Sequence, residues 1–83
     1  MPEPQFSKQA AKALSRMDAP TKQRIRKGIS EIPRGDIKPL QGYSDGRQRL
    51  RIGQYRIIFK NVVDNGAPTL YIMDIGSRGD IYK

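Results

Sequence analysis

The sequence predicts an α+β fold, and three features of its patterning predict it. Before residue 33, apolar residues recur at intervals of three and four. From Arg47 onward they alternate with polar ones. Between two of the alternating runs stands Asn65-Gly66, the strongest short-range turn signal in the chain. At 83 residues the length predicts one domain, 1–83, with no room for a second core.

After a short extended start, Ser7 is placed to cap a helix running to about Met17. Phe6, Ala10, Ala13, Leu14 and Met17 give it an apolar stripe, while Lys8, Lys12 and Arg16 line another face. Asp18 predicts the N-cap of a second helix, with Pro20 tolerated in its first turn. Ile25, Ile29 and Ile32 form its buried stripe, and Pro33-Arg34-Gly35 ends it. The short hinge between the two predicts an antiparallel helical hairpin. Pro39-Leu40-Gln41-Gly42 and Ser44-Asp45-Gly46 read as loop and turn.

Arg47–Ile52 then alternates strictly, with Leu50 and Ile52 to one side and Arg47, Arg49 and Arg51 to the other. Gly53-Gln54 turns the chain into a strand over Tyr55–Val62. There Tyr55, Ile57 and Phe59 face the core, which sends Arg56 to the side of the other arginines. After the Asn65-Gly66 turn, Thr69–Ile75 completes an antiparallel meander. The residues Gly76-Ser77-Arg78-Gly79-Asp80 break the pattern before Ile81 and Tyr82.

Sixteen Lys and Arg against eight Asp and Glu give a formal charge of +8. A small domain bears such self-repulsion most readily when its partner is a polyanion, whether nucleic acid, an anionic membrane or an acidic protein. A basic surface that merely keeps the protein in solution is the plainer alternative. The chain has neither cysteine nor histidine, which excludes disulfides, thiolate and imidazole metal sites, and Cys or His catalytic pairs. The scattered Asp residues predict no metal site, and the glycines form no P-loop or dinucleotide fingerprint. No cofactor is expected. No apolar run approaches a membrane span and the N-terminus lacks a signal-peptide core, so a cytoplasmic location is expected.

The stretch RQRLRIGQYR, residues 47–56, holds four arginines. Side chains on one face of a strand stand roughly 7 Å apart, so these like charges repel unless an anion lies between them. Guanidinium groups in that arrangement suit a phosphodiester, because the planar fork grips two oxygens and stabilises the extra charge of the transition state. They suit proton transfer poorly, since their pKa lies above about 12. Three roles are open to Tyr82: a phenolate favoured by nearby positive charge, a platform for stacking an RNA base, or packing against the sheet.

The segments LQGYSDGRQRLRIGQYRIIF and IGSRGDIY, taken in order, resemble the toxins of the RelE/ParE superfamily of bacterial toxin–antitoxin modules. The shared features are a helical hairpin, a Leu-x-Gly loop, a strand ending in Arg-x-Gly, a Tyr-Arg strand start and a final Gly-x-Arg…Tyr. The likeness extends over nearly the whole chain, as one RelE/ParE-like toxin domain. It implies a helical hairpin packed on a small curved antiparallel sheet. For the RelE-like branch it further implies an endoribonuclease that cuts messenger RNA in the ribosomal A site and pairs with an acidic antitoxin in a hetero-oligomer. By position, Arg47, Arg49, Arg56, Arg78 and Tyr82 match the catalytic set, and Arg51 is a further RNA contact. RelE-like enzymes carry lysines where Arg47 and Arg49 stand, so charge stabilisation transfers better than proton transfer. ParE-like members, which poison DNA gyrase, share the fold and lack most of this set. Those two readings, and a basic nucleic-acid-binding module without chemistry, are the alternatives.

Overall fold

The computed structural model describes residues 4–32, 34–42 and 44–77. Its first helix, α1 (Lys8–Ser15), begins where the side chain of Ser7 accepts the Ala10 N–H at 3.0 Å. The same hydroxyl donates to the carbonyl of Met73 at 2.8 Å, so one residue both caps the helix and ties it to the sheet. The second helix, α2 (Ala19–Ser30), follows Asp18, whose extended backbone marks the N-cap although its carboxylate makes no capping bond. Pro20 sits in its first turn, where a missing N–H costs nothing.

The strands are β1 (Gln5–Phe6), β2 (Asp36–Pro39), β3 (Gln48–Ile52), β4 (Tyr55–Asp64) and β5 (Ala67–Ser77), in the order β1-β5-β4-β3-β2. From β2 to β5 every pairing is antiparallel, as the hairpin signals predict. The β3–β4 turn has positive φ at Gly53 alone of its two central residues, and the β4–β5 turn has it at both Asn65 and Gly66. Those are the signatures of types II′ and I′, whose twist matches that of paired strands.

Two strands lie outside the expected meander. β2 includes Pro39, which the sequence places in a loop, and pairs with β3 through Asp36↔Arg51, Ile37↔Leu50 and Lys38↔Arg49. As an edge strand it accommodates a proline, which lacks a ladder donor. β1 pairs with β5 in parallel, Gln5↔Tyr71 and Phe6↔Ile72, making the five-stranded sheet mixed. The other differences are of length: β4 and β5 run past Val62 and Ile75 at their C-terminal ends, and β5 begins two residues before Thr69.

Both helices contribute to a single core on one face of the sheet. Ala10 and Leu14 of α1 and Ile25 and Ile29 of α2 meet Leu50, Ile57, Phe59, Ile72 and Ile75. Burying each of the larger side chains contributes about 1.5–3 kcal/mol. Gly28 lets α2 come down onto β3, since a Cβ there would collide with the end of the Ile52 side chain. The helices thus occupy one side of the sheet, and the arginines of β3 and β4 are directed to the other.

Candidate nucleic-acid interface

The strand register arranges the second face of the sheet in three rows. Residues paired across antiparallel strands point the same way, so a row is read directly from the ladder. The first runs Asp36, Arg51, Arg56, Gly76 from β2 to β5. The second runs Lys38, Arg49, Ile58, Asp74. Continuing the β3–β4 register one step beyond Gln48↔Phe59 sets Arg47 beside Lys60, which pairs with Tyr71 in the third. Arg47, Arg49, Arg51 and Arg56 therefore share one face, as their alternation predicts.

Their environments differ. Arg47 is held by Asp45: Nε to Oδ1 at 3.0 Å and Nη2 to Oδ2 at 2.8 Å, while its backbone N–H reaches Oδ1 at 3.3 Å. Lys60 Nζ lies 3.6 Å from the same carboxylate. The hydrogen bonds from Arg47, with the charges of Arg47 and Lys60 behind them, hold the Asp45 carboxyl far below the usual carboxylate range. Arg49 lies 3.6 Å from Asp36, and only 11% of its side chain is exposed. The sequence suggests guanidinium groups lifted into solvent, and Arg49 departs from this. It lies across the ladder from Ile58, itself 6% exposed.

The first row is different again. Arg51 is exposed and directly paired with Arg56, and Gly76 places no side chain on Arg56's other flank. Directly opposed like charges destabilise a sheet. Asp36 flanks Arg51 on its other side, and the planar forks of such a pair have the shape to grip a phosphate.

Sequence reasoning did not single out Asp36, Lys38, Asp45 or Lys60 as members of this face. Asp45 was legible as a turn residue, and its position two before Arg47 in a tight turn is the one local hint of the clamp. Lys60 was reachable by extending the β4 alternation beyond Phe59. Arg78 and Tyr82 lie outside the described residues. Among the described residues no group of three or more acidic, His or Cys side chains is arranged to hold a metal, and no buried side-chain polar atom lacks a partner. The face offers fixed positive charge with carboxylate counter-charges from Asp36 and Asp45, a pattern suited to holding an anion.

No family model matches the sequence, and no curated protein matches it by sequence. Solved structures do match. The chain superposes with a TM-score of 0.70 on one from the RelB–RelE antitoxin–toxin complex of Methanococcus jannaschii, at 27% identity over 94% of both chains. Against the archaeal RelE–RelB complex of Pyrococcus horikoshii OT3 the TM-score is 0.67 at 26% identity, covering 94% of this chain and 96% of the other. The Mycobacterium tuberculosis RelBE2 toxin–antitoxin complex gives 0.70 at 21% identity over 92% and 96%, and bears on the fold alone. Two helices on a five-stranded mixed sheet is thus a fold shared with toxin chains of these complexes.

Proposed function

We propose that the chain, similar to RelE toxin chains at 26–27% identity over nearly its whole length, is a RelE-like toxin and a ribosome-dependent endoribonuclease of a type II toxin–antitoxin module. The observation that carries this reading is the Arg51↔Arg56 pair, two cations opposed on the helix-free face of the sheet. A messenger phosphodiester seated between them gains charge on its non-bridging oxygens as the ribose 2′-oxygen attacks phosphorus. Guanidinium groups already in place stabilise that charge more strongly in the transition state than in the ground state.

Arg56 is assigned the central role, Arg51 grips the same strand, and Arg49 supports the row from a largely buried position. Arg47, fixed by Asp45, presents a charge of settled orientation. Arg78 and Tyr82 complete the proposed set. Attack requires loss of the 2′ proton, and departure of the 5′-oxygen requires gain of one. Tyr82 is the residue assigned to this transfer, because guanidinium groups hold their protons too tightly. The same face, neutralised by an acidic segment that folds as it binds, is the proposed seat of a cognate antitoxin.

Programmed ribosomes incubated with the protein test the proposal. Mapped cleavage of the message is expected, falling about 100- to 1,000-fold with Arg56→Ala, the usual loss for one transition-state donor. Tyr82→Phe is expected to abolish most cleavage while leaving binding intact. An uncut message with folded, monodisperse protein would overturn the nuclease, and a gyrase supercoiling assay on the same preparation would then decide the ParE-like reading.

A further inference from the structure

A second cationic surface lies off the helix-free face, where α2 passes the end of β3. A groove of about 330 Å³ opens there, flanked by Arg24, Lys27, Arg34 and Arg51, with one acid, Glu31. Four positive groups against one negative is a strong local bias, and the residues come from three separate stretches of chain. Helical spacing sets Arg24, Lys27 and Glu31 along one side of α2, and Gly28 between them lets Ile52 pack close against the helix.

The groove is continuous with the arginine face. Arg51 belongs to both, by its pairing with Arg56 and by its place in the groove wall. Arg24 reaches from α2 to the β3–β4 turn, its Nη1 3.9 Å from where a Cβ on Gly53 would stand. A track of positive charge therefore leads from Arg56 through Arg51, around the turn, to Arg24 and Lys27. Among the described residues that line it none is aromatic. Leu50 on its floor is buried, and Ile52 beside it is part-exposed. The four cations that flank the groove, continuous with the arginine face, suit a chain of phosphates, which needs charge alone.

We infer that this groove is a second phosphate-binding stretch, taking the single-stranded RNA that flanks the phosphodiester at the Arg51–Arg56 pair. This rests on the proposal that the arginine face takes RNA. Lacking aromatics, the groove grips backbone and not bases, so its contribution is salt-dependent and indifferent to sequence. It extends the substrate from a single scissile linkage to a strand of several nucleotides.

Fluorescence anisotropy with 2′-O-methyl RNA, which cannot be cut through its own 2′-oxygen, isolates binding from chemistry. Oligomers of about 4 and about 12 nucleotides span the range of a small single-strand site. The longer is expected to show the steeper dependence of log Kd on log salt. The exposed double variant Arg24→Gln/Lys27→Gln is expected to lower that slope by about 1.4, at ~0.7 per lost phosphate contact, and to leave the short oligomer unchanged. Arg56→Ala should weaken both. Equal slopes for both oligomers, unmoved by the double variant, would overturn the groove while the Arg56 effect kept the face proposal intact. A slope that responds to the double variant but not to Arg56→Ala would instead overturn the face as the RNA site. Binding of an oligoglutamate peptide that needs Arg24 and Lys27, where RNA does not, would overturn RNA as the occupant in favour of an acidic protein.

Discussion

Asp45 shows how one side chain orders a crowded surface. Its carboxylate faces Arg47 and Lys60 together, so it lowers their mutual repulsion and fixes the Arg47 fork. Because the folded-state pKa is depressed, the contribution of this contact is present above the ordinary carboxylate pKa and is lost only as pH falls through the lower folded value. Between pH 5 and 9 the clamp is therefore expected to remain charged, with no inflection in RNA binding from Asp45. A carbon-detected NMR titration of the Asp45 carboxyl checks this, with a midpoint below the usual carboxylate range and a return toward it in Arg47→Ala. A midpoint in the ordinary range in the wild type would show that the clamp does not form in solution. The sequence disclosed the arginines through alternation, which depends only on neighbours in the chain. It did not disclose that Arg49 is mostly buried, because that depends on contacts with Asp36 and Ile58 supplied by other strands.

Among the elements, those with a strong local signal were legible and those fixed by partners were not. Ser7 announced α1 by its position before an apolar stripe, and Asn65-Gly66 announced the β4–β5 turn because few residues adopt positive φ in succession. β1 has two residues and β2 four, one a proline, so neither carries a period that could be counted. Each exists because a longer strand offers it a ladder. β3 matters most for the site, since Leu50 anchors it in the core while Arg49 and Arg51 on either side are directed to the opposite face of the sheet. Leu50→Ala is expected to cost about 2–5 kcal/mol, through lost burial and the cavity left behind. That is a large share of the roughly 5–15 kcal/mol available to a small domain. Urea denaturation should show the midpoint fall with little change in slope. A midpoint unchanged from wild type would mean that β3 is not held by this contact.

At the scale of the whole molecule, the formal charge of +8 and the placement of the arginines point to the same physics. The helices and core occupy one side of the sheet, and cationic groups cover the outer surfaces of the helices, the other face of the sheet and the end of β3. Unliganded, the fold bears their repulsion. Added salt screens that repulsion, so the melting temperature of the protein alone is expected to rise with sodium chloride. A bound polyanion removes the repulsion by neutralising it. At an RNA concentration of 100 Kd, stabilisation by binding is about 2.7 kcal/mol, or about 10–20 °C for a domain of this size. Salt weakens that binding, so the RNA-dependent gain must shrink as the melting temperature of the free protein climbs. The two melting curves, with and without 2′-O-methyl RNA, are expected to converge at high salt from well-separated values at low salt. Differential scanning calorimetry across a salt series reads both trends at once. A free-protein melting temperature that falls with salt would mean that internal pairs such as Asp45–Arg47 outweigh net repulsion, and the crowding of charge would then need no polyanion to relieve it.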